Sequence, residues 1–440
     1  KRFTYYAMLM LGAACLLPWK TYITAADYFQ YKFPGSNIEF YFGVVFNLSM
    51  CFGILVMNTW GRFWDMNCRV YIALFLMAQM VSSVILIDMA TEDNWLTRDA
   101  AFLITMYHVF LGGASVAVLQ GTLYGIAGVC GGEFTQALQG GMGYAGLFVA
   151  MLRLATKPLL DMRTSTRLYI IITVLMLLAS SWMYHIMSTL PFVRERLLYT
   201  ASSTSSTPPV TPESTPEFES RRRLEMLPMQ KVVARRNSDG EIAERRYGAM
   251  DQPEDLEAQC RDSVGAAPTS LWSVLRQAWI PLVSVFAVFV VCLALFPGVA
   301  TSFKSRSGLG DNLPVILCGI YAGGYLLGNQ LPRVCDALTL PENQYLLLIA
   351  LLGHISFLPL FLLGLVEPQN LVLGSEVYYM ALVLGLGASA GFLGCSAMML
   401  TPKLVDDSEK EAAATISVLF LVFGMFFGSL LGTVIAAVAP

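Results

Sequence analysis

The chain has 440 residues, 56% of them apolar and only 13% charged, with a mean hydropathy of +0.59. A water-soluble enzyme of this length carries far more charge, and a net charge of −3 gives no footing for a nucleic-acid partner. The charges gather between apolar runs of about 20 residues, the length that crosses a hydrocarbon core of about 30 Å, so the expectation is an all-α polytopic membrane protein.

In chain order, span 1 is read over about Phe3–Ile23, within which Pro18 removes a backbone donor and is expected to kink or end the helix. The run follows Lys1 and Arg2 but lacks a small-residue cleavage site before Lys20–Lys32, so it is counted as a span and not as a signal peptide. Trp19 fits either an interface anchor or a cavity lining. Span 2 covers about Glu39–Trp60 and contains an Asn47 sequon at a depth no glycosylation enzyme reaches; span 3 covers about Arg69–Ala90.

Spans 4 (about Ala100–Val129) and 5 (about Phe134–Leu154) are joined by the short turn CGGE and read as an antiparallel hairpin. Gly112, Gly113, Gly121, Gly125 and Gly128 on one helix are expected to meet Gly140, Gly141, Gly143 and Gly146 on the other, since small residues let membrane helices approach closely. This pair also carries Gln120, Thr122, Gln136 and Arg153 at bilayer depth. Polar groups there are costly unless they face a bundle interior or a wet path. Arg153 and Lys157, four apart near the end of span 5, are expected to snorkel, the other reading being an entrance lining.

Span 6 (about Leu168–Met187) is followed by a polar insert of about 191–270, rich in Ser, Thr and Pro and then in mixed charge. It is too poor in apolar residues to offset ordering entropy and is read as disordered. Within it ARRNS sets Ser238 behind two arginines, a candidate site for a basophilic kinase. Spans 7 to 11 follow at about Trp272–Phe296, Asn312–Pro332, Gln344–Val366, Val377–Met399 and Ala412–Val438. The expected organisation is therefore a six-helix bundle over 1–190, a loop over 191–270 and a five-helix bundle over 271–440, with the termini on opposite faces.

Eight of the nine cysteines lie in or beside apolar runs, without a CxxC pair. His108, His185 and His354 fall in three different spans, with no i,i+4 metal pair, so no metal or cofactor is expected. One histidine could serve a proton relay. Carboxylates are missing from the bilayer centre, which favours facilitated diffusion over an acid-driven pump. An amino terminus on the cytosolic side puts nineteen of the 28 Lys and Arg residues inside, though eleven of them sit in the long insert, where charge bias orients poorly.

LLPWKTYITAADYF in span 1 resembles the LPWNxFxTAxxYF stretch of the equilibrative nucleoside transporters. AVLQGTLYGIAG followed by QGGMGYAG is similar to that family's span 4–5 signature, and GLGASAGFLGCSAMMLTPKLV and AAATISVLFLVFGMFFGSLLG resemble its spans 10 and 11. The resemblance implies a 6+5 two-bundle fold akin to the major facilitator one, a cytosolic amino terminus and an extracytosolic carboxyl terminus. It also implies a central cavity for a nucleoside or nucleobase, opened alternately to each side, in a protein that is not an enzyme. The expected membrane is the plasma membrane.

By matching position, Trp19 and Ile23 line the cavity, Gln120 bonds the nucleoside with Val116 one turn before it, and Gly141 packs span 5 close to the site. Gly121, Gly143, Arg153 and Arg333 are candidates for gating or packing. Two departures from the family stand out. Lys20 stands where it has Asn, and Tyr325 and Asn329 stand where it has an Asp–Arg pair in span 8. Arg333, one turn further on, is expected to end that helix at the cytosolic face. A related branch moves organic cations and monoamines and uses a Glu where this chain has Met142; the missing acid and Lys20 in span 1 speak against a cationic cargo, so an organic cation or another small polar solute is the alternative and not the first reading. A scaffold whose business is the insert is the rival from another class.

Overall fold

Every apolar run read as a span is helical in the computed structural model of the chain, which describes residues 1–34, 38–156, 159–197, 271–296, 313–366, 370 and 372–438. The helices are α1 Arg2–Thr24, α2 Ala26–Lys32, α3 Ile38–Trp60, α4 Met66–Glu92, α5 Arg98–Cys130, α6 Gly132–Thr156 and α7 Met162–Thr189 in the first half. The second half holds α8 Leu271–Gln277, α9 Trp279–Leu295, α10 Leu313–Gln330, α11 Gln344–Ile355, α12 Phe357–Val366, α13 Glu376–Leu400 and α14 Lys410–Val438. Spans 7 and 9 are each two helices, broken at Ala278 and at Ser356. Among the described residues, eight helices are long and apolar enough to cross a membrane by length and composition. Ser238 and Lys157 lie outside the described residues, as does the insert beyond residue 197; residues 191–197 are helical.

Helix starts are set by short polar side chains that accept from otherwise orphaned amides. Asp65 caps α4 through Asn67 and Cys68, Thr97 caps α5, Asp161 caps α7 and Ser375 caps α13. Gly131, at φ 127°, ends α5 in a conformation that side chains rarely adopt. Pro18 does not end α1, which runs on to Thr24 and breaks at Ala25 before α2.

In the first half α1 packs on α6 and α7, α5 packs on α3 and α4, and α4 on α7. In the second half α10 packs on α13, and α9 packs on α14, α13 and α11. The halves meet where α6 lies against α10 and α13, and where α14 lies against α5 and α3.

The glycines of α5 and α6 do not face one another as the hairpin reading expected. On α5, Gly112 abuts Met80 of α4, Gly113 abuts Phe46 and Ser49 of α3, and Gly121, Gly125 and Gly128 abut Thr415, Glu411 and Ala414 of α14. On α6, Gly141 rests on the Leu9 carbonyl of α1, while Gly140, Gly143 and Gly146 face Gln330, Leu326 and Ala322 of α10. The two helices touch through Gln120 and Tyr124 on one and Gln139 and Met142 on the other, and each uses its small residues to let other neighbours approach.

Arg153 does not snorkel. It is 4% exposed, its Nη1 donates to Ser165 Oγ at 3.2 Å, and its guanidinium lies 5.9 Å from the centroid of the Tyr169 ring. Hydroxyl and aromatic partners on α7 satisfy the cation inside the first half, so it has no need to reach water.

Candidate functional site at the boundary of the two halves

The rotation of α10 is fixed by its contact with α13. A methyl at Gly324 would meet the Leu384 carbonyl of α13 at 2.5 Å, and one at Gly387 would meet the Tyr321 carbonyl of α10 at 2.5 Å. Gly328 and Gly391 repeat the pattern one turn on. With its glycine face pressed on α13, α10 turns Tyr325 and Asn329 toward α6.

There the two halves are joined by polar side chains. Gln139 Nε2 donates to the Tyr325 hydroxyl at 2.5 Å, Asn329 Nδ2 donates to the Gln139 carbonyl at 3.2 Å, and Gln136 Nε2 donates to the Asn329 carbonyl at 2.7 Å. On the other side of Gln139, its Oε1 accepts from the Tyr124 hydroxyl of α5. Tyr124 and Gln120 both reach the Met142 sulfur at 3.9 Å, so Gln120 is joined to Asn329 through one continuous chain of contacts.

Two acceptors in this chain have no partner: Gln120 Oε1 and Asn329 Oδ1 are buried and unbonded, in residues 1% and 0% exposed. A buried acceptor left unmade costs about 1–3 kcal/mol, an energy that a ligand N–H or O–H would recover. The cluster contains no carboxylate, so an organic cation gains no counter-charge there.

The remaining predicted residues fall into distinct places. Trp19 is half-buried and stacks on Phe46 of α3, with ring centroids 4.0 Å apart and planes at 10°. Lys20 and Ile23 are half-buried near the other end of α1 from Lys1. Val116 is fully buried one turn before Gln120, and Gly141 holds α6 on α1. Thr122 turns away from the cluster, its hydroxyl bonded to the Val118 carbonyl at 2.9 Å and 3.9 Å from Met57 Sδ of α3. Gly121 accepts at its carbonyl from Thr415 of α14 at 3.3 Å, and Gly143 abuts Leu326, so both serve packing between the halves. Arg333 is exposed in the 3-10 turn after α10, with its guanidinium 5.0 Å from the centroid of the Tyr5 ring.

Sequence reasoning passed over Tyr124 and Gln139. The available signal was spacing: Tyr124 lies one turn beyond Gln120, and Gln139 lies three residues beyond Gln136, so each pair shares a helix face.

The sequence matches the family described as Nucleoside transporter over residues 106–437. The chain belongs to the nucleoside transporter family. Its relatives include Equilibrative nucleotide transporter 1 of Arabidopsis thaliana, 26% identical over 98% of this chain and 85% of that one. Equilibrative nucleoside transporter 4 of Homo sapiens is 24% identical over 97% of this chain and 81% of that protein. Among solved structures, the major facilitator superfamily proton:xylose symporter XylE with bound 6-bromo-6-deoxy-D-glucose superposes with a TM-score of 0.57. The identity is 12%, over 97% of this chain and 86% of that one, so this likeness speaks for the fold alone. This nucleoside transporter family member is thus a multi-pass helical membrane transporter of major-facilitator-like fold, and not an enzyme.

Proposed function

We propose that the chain moves nucleosides, nucleobases or both by facilitated diffusion, its two helical halves opening alternately to each side of one central site. The observation that carries this reading is the pair of unpartnered oxygens, Gln120 Oε1 and Asn329 Oδ1, at the two ends of a polar chain that links the halves. Amide oxygens suit the N–H groups of a base and the hydroxyls of a ribose, and neither attracts a second full charge. The proposed site comprises Gln120, Tyr124, Gln139, Tyr325 and Asn329, with Trp19, Lys20 and Ile23 beyond it, and Val116 and Gly141 setting its shape.

Residues 1–190 and 271–440 act as the two moving bodies, and 191–270 connects them; the packing of α1 to α7 with each other and of α9 to α14 with each other supports this division. The amino terminus is placed in the cytosol and the carboxyl terminus outside, with Ser238 on the cytosolic connector as a kinase target. A carrier that takes up solutes from the medium belongs at the cell surface, so the plasma membrane is the proposed location, and surface biotinylation checks it.

The deciding experiment is uptake of labelled adenosine and uridine into vesicles that hold the purified protein, with and without a pH gradient. Saturable flux of at least one compound without a gradient is expected; absence of flux for both refutes the reading. Deleting 202–259 is expected to leave that flux in place, which separates a carrier from a scaffold built around the insert.

A further inference from the structure

Lys20 is the cation that the polar cluster does not use. Its side chain crosses from α1 toward α6, where a methyl at Gly146 would come within 3.7 Å of its Cε, and the ionisable group facing it from α10 is the Cys318 thiol. Among the described residues it makes no hydrogen bond and no ion pair. The buried carboxylate of its half is already taken: Asp88 accepts from Lys32 at 2.7 Å and from Arg167 at 3.1 Å, and Glu92 is held by Arg163. A partly buried cation with no counter-charge is unfavourable, and a bound anion offsets that cost.

The position of Lys20 relative to the cluster is set twice, by independent helices. Gly146 lies seven residues beyond Gln139 on α6, and Cys318 lies seven residues before Tyr325 on α10. At a rise of about 1.5 Å per residue, both helices place Lys20 about 10 Å from the Gln139–Tyr325 bond along the bundle. Between the two levels stands an aromatic shelf. Tyr321 stacks on Phe296 with centroids 4.3 Å apart and planes at 9°, and its ring is 6.2 Å from that of Tyr325.

Resting on the carrier reading above, we propose that this site accepts a nucleoside bearing a 5′-phosphate, with the base end at the amides of Gln120 and Asn329 and the phosphate at Lys20. The separation fits an extended nucleoside monophosphate, and a compact acidic base held at the amides falls short of Lys20. The amide and hydroxyl cluster is itself uncharged, so Lys20 is the specificity-determining residue.

The test is competition with labelled adenosine uptake in vesicles by adenosine monophosphate, by orotate as a short acidic base and by inorganic phosphate. A thermal-shift titration of the purified protein with adenosine monophosphate and with adenosine runs alongside. The monophosphate is expected to compete at least as well as unlabelled adenosine, while orotate and phosphate do not. Lys20→Gln is expected to raise the half-inhibitory concentration of the monophosphate, relative to that of adenosine, about tenfold, and Lys20→Arg is expected to restore the ratio. A monophosphate that does not compete, a ratio unchanged in Lys20→Gln, or orotate competing in its place overturns the inference. If adenosine flux itself is absent, the carrier reading fails, and the thermal-shift ratio between wild type and Lys20→Gln still decides the role of Lys20: a shift with the monophosphate that Lys20→Gln abolishes supports it, and equal shifts overturn it.

Discussion

The amide of Gln139 and the hydroxyl of Tyr325 meet at 2.5 Å across 186 residues of sequence, and this bond ties the first half of the transporter to the second. Tyr325→Phe removes the hydroxyl and leaves a buried N–H without its acceptor. A buried donor left unmade costs about 1–3 kcal/mol, which corresponds to roughly a five- to 150-fold change in an equilibrium. Initial rates of adenosine uptake, normalised to protein in the membrane, are expected to fall by about that factor; unchanged rates would remove the bond from the transport cycle.

Gln120 and Thr122 are two residues apart on α5 and point to different neighbours. Gln120→Ala is expected to lower uptake about tenfold or more at unchanged expression, because it removes the unpartnered acceptor proposed to bond the permeant. Thr122→Val is expected to stay within about twofold, since the hydroxyl it loses is bonded to its own helix at Val118. Equal losses in both variants would mean that α5 is sensitive to any change and that the contrast says nothing about the site.

Gly141 and Gly323 separate packing from helix propensity. A methyl at Gly141 collides with the backbone of α1 at Leu9, while one at Gly323 of α10 meets no atom within 4 Å. Gly141→Ala is expected to destabilise the folded transporter by about 1–3 kcal/mol through overpacking. Gly323→Ala is expected to be neutral or stabilising by about 0.5–1 kcal/mol. Thermal unfolding of the two variants in detergent checks the sign of each.

Asp161 caps α7 outside the apolar span, accepting from the Thr164 amide at 3.1 Å. Its contacts with Thr164, side chain first and backbone second, hold the carboxyl below its ordinary value of 3.8. A carboxyl whose folded pKa is depressed stabilises the fold above its unfolded pKa and loses that effect as the pH falls through the folded one. Protection of the first α7 amides against hydrogen exchange is therefore expected to weaken in acid below that range. Asp161→Asn keeps a capping oxygen that does not titrate, so its protection is expected to change little over the same range.

The helical spans were legible in the sequence because lipid leaves few alternatives: a backbone in hydrocarbon must satisfy itself, and apolar length marks where it does so. Gln120 was legible from residue type and depth, as a polar group too deep to be idle, whereas Tyr325 and Asn329 were legible only through the family resemblance. Gln139 was not, because a glutamine next to a run of glycines reads as equally suited to packing, and its partner lies in the other half of the chain. The direction of the α5 and α6 glycines was misread for a related reason. The two helices of one hairpin were assumed to share their glycine faces, whereas those glycines are used by α4, the helix before α5, and by α1, α3, α10 and α14, which are further along the chain. For Arg153, the snorkelling expectation overlooked partners on the following helix that only the packing of α6 against α7 supplies.

The backbone contacts of Gly324 and Gly387 leave α10 and α13 no room to slide past each other. Whatever parts α10 from α6 must therefore swing α13 with it, as a door leaf carries its frame rail. The hinge of the cycle is then to be sought at the edges of this welded pair and not within it, and a cross-link between the two helices is expected to leave the carrier running.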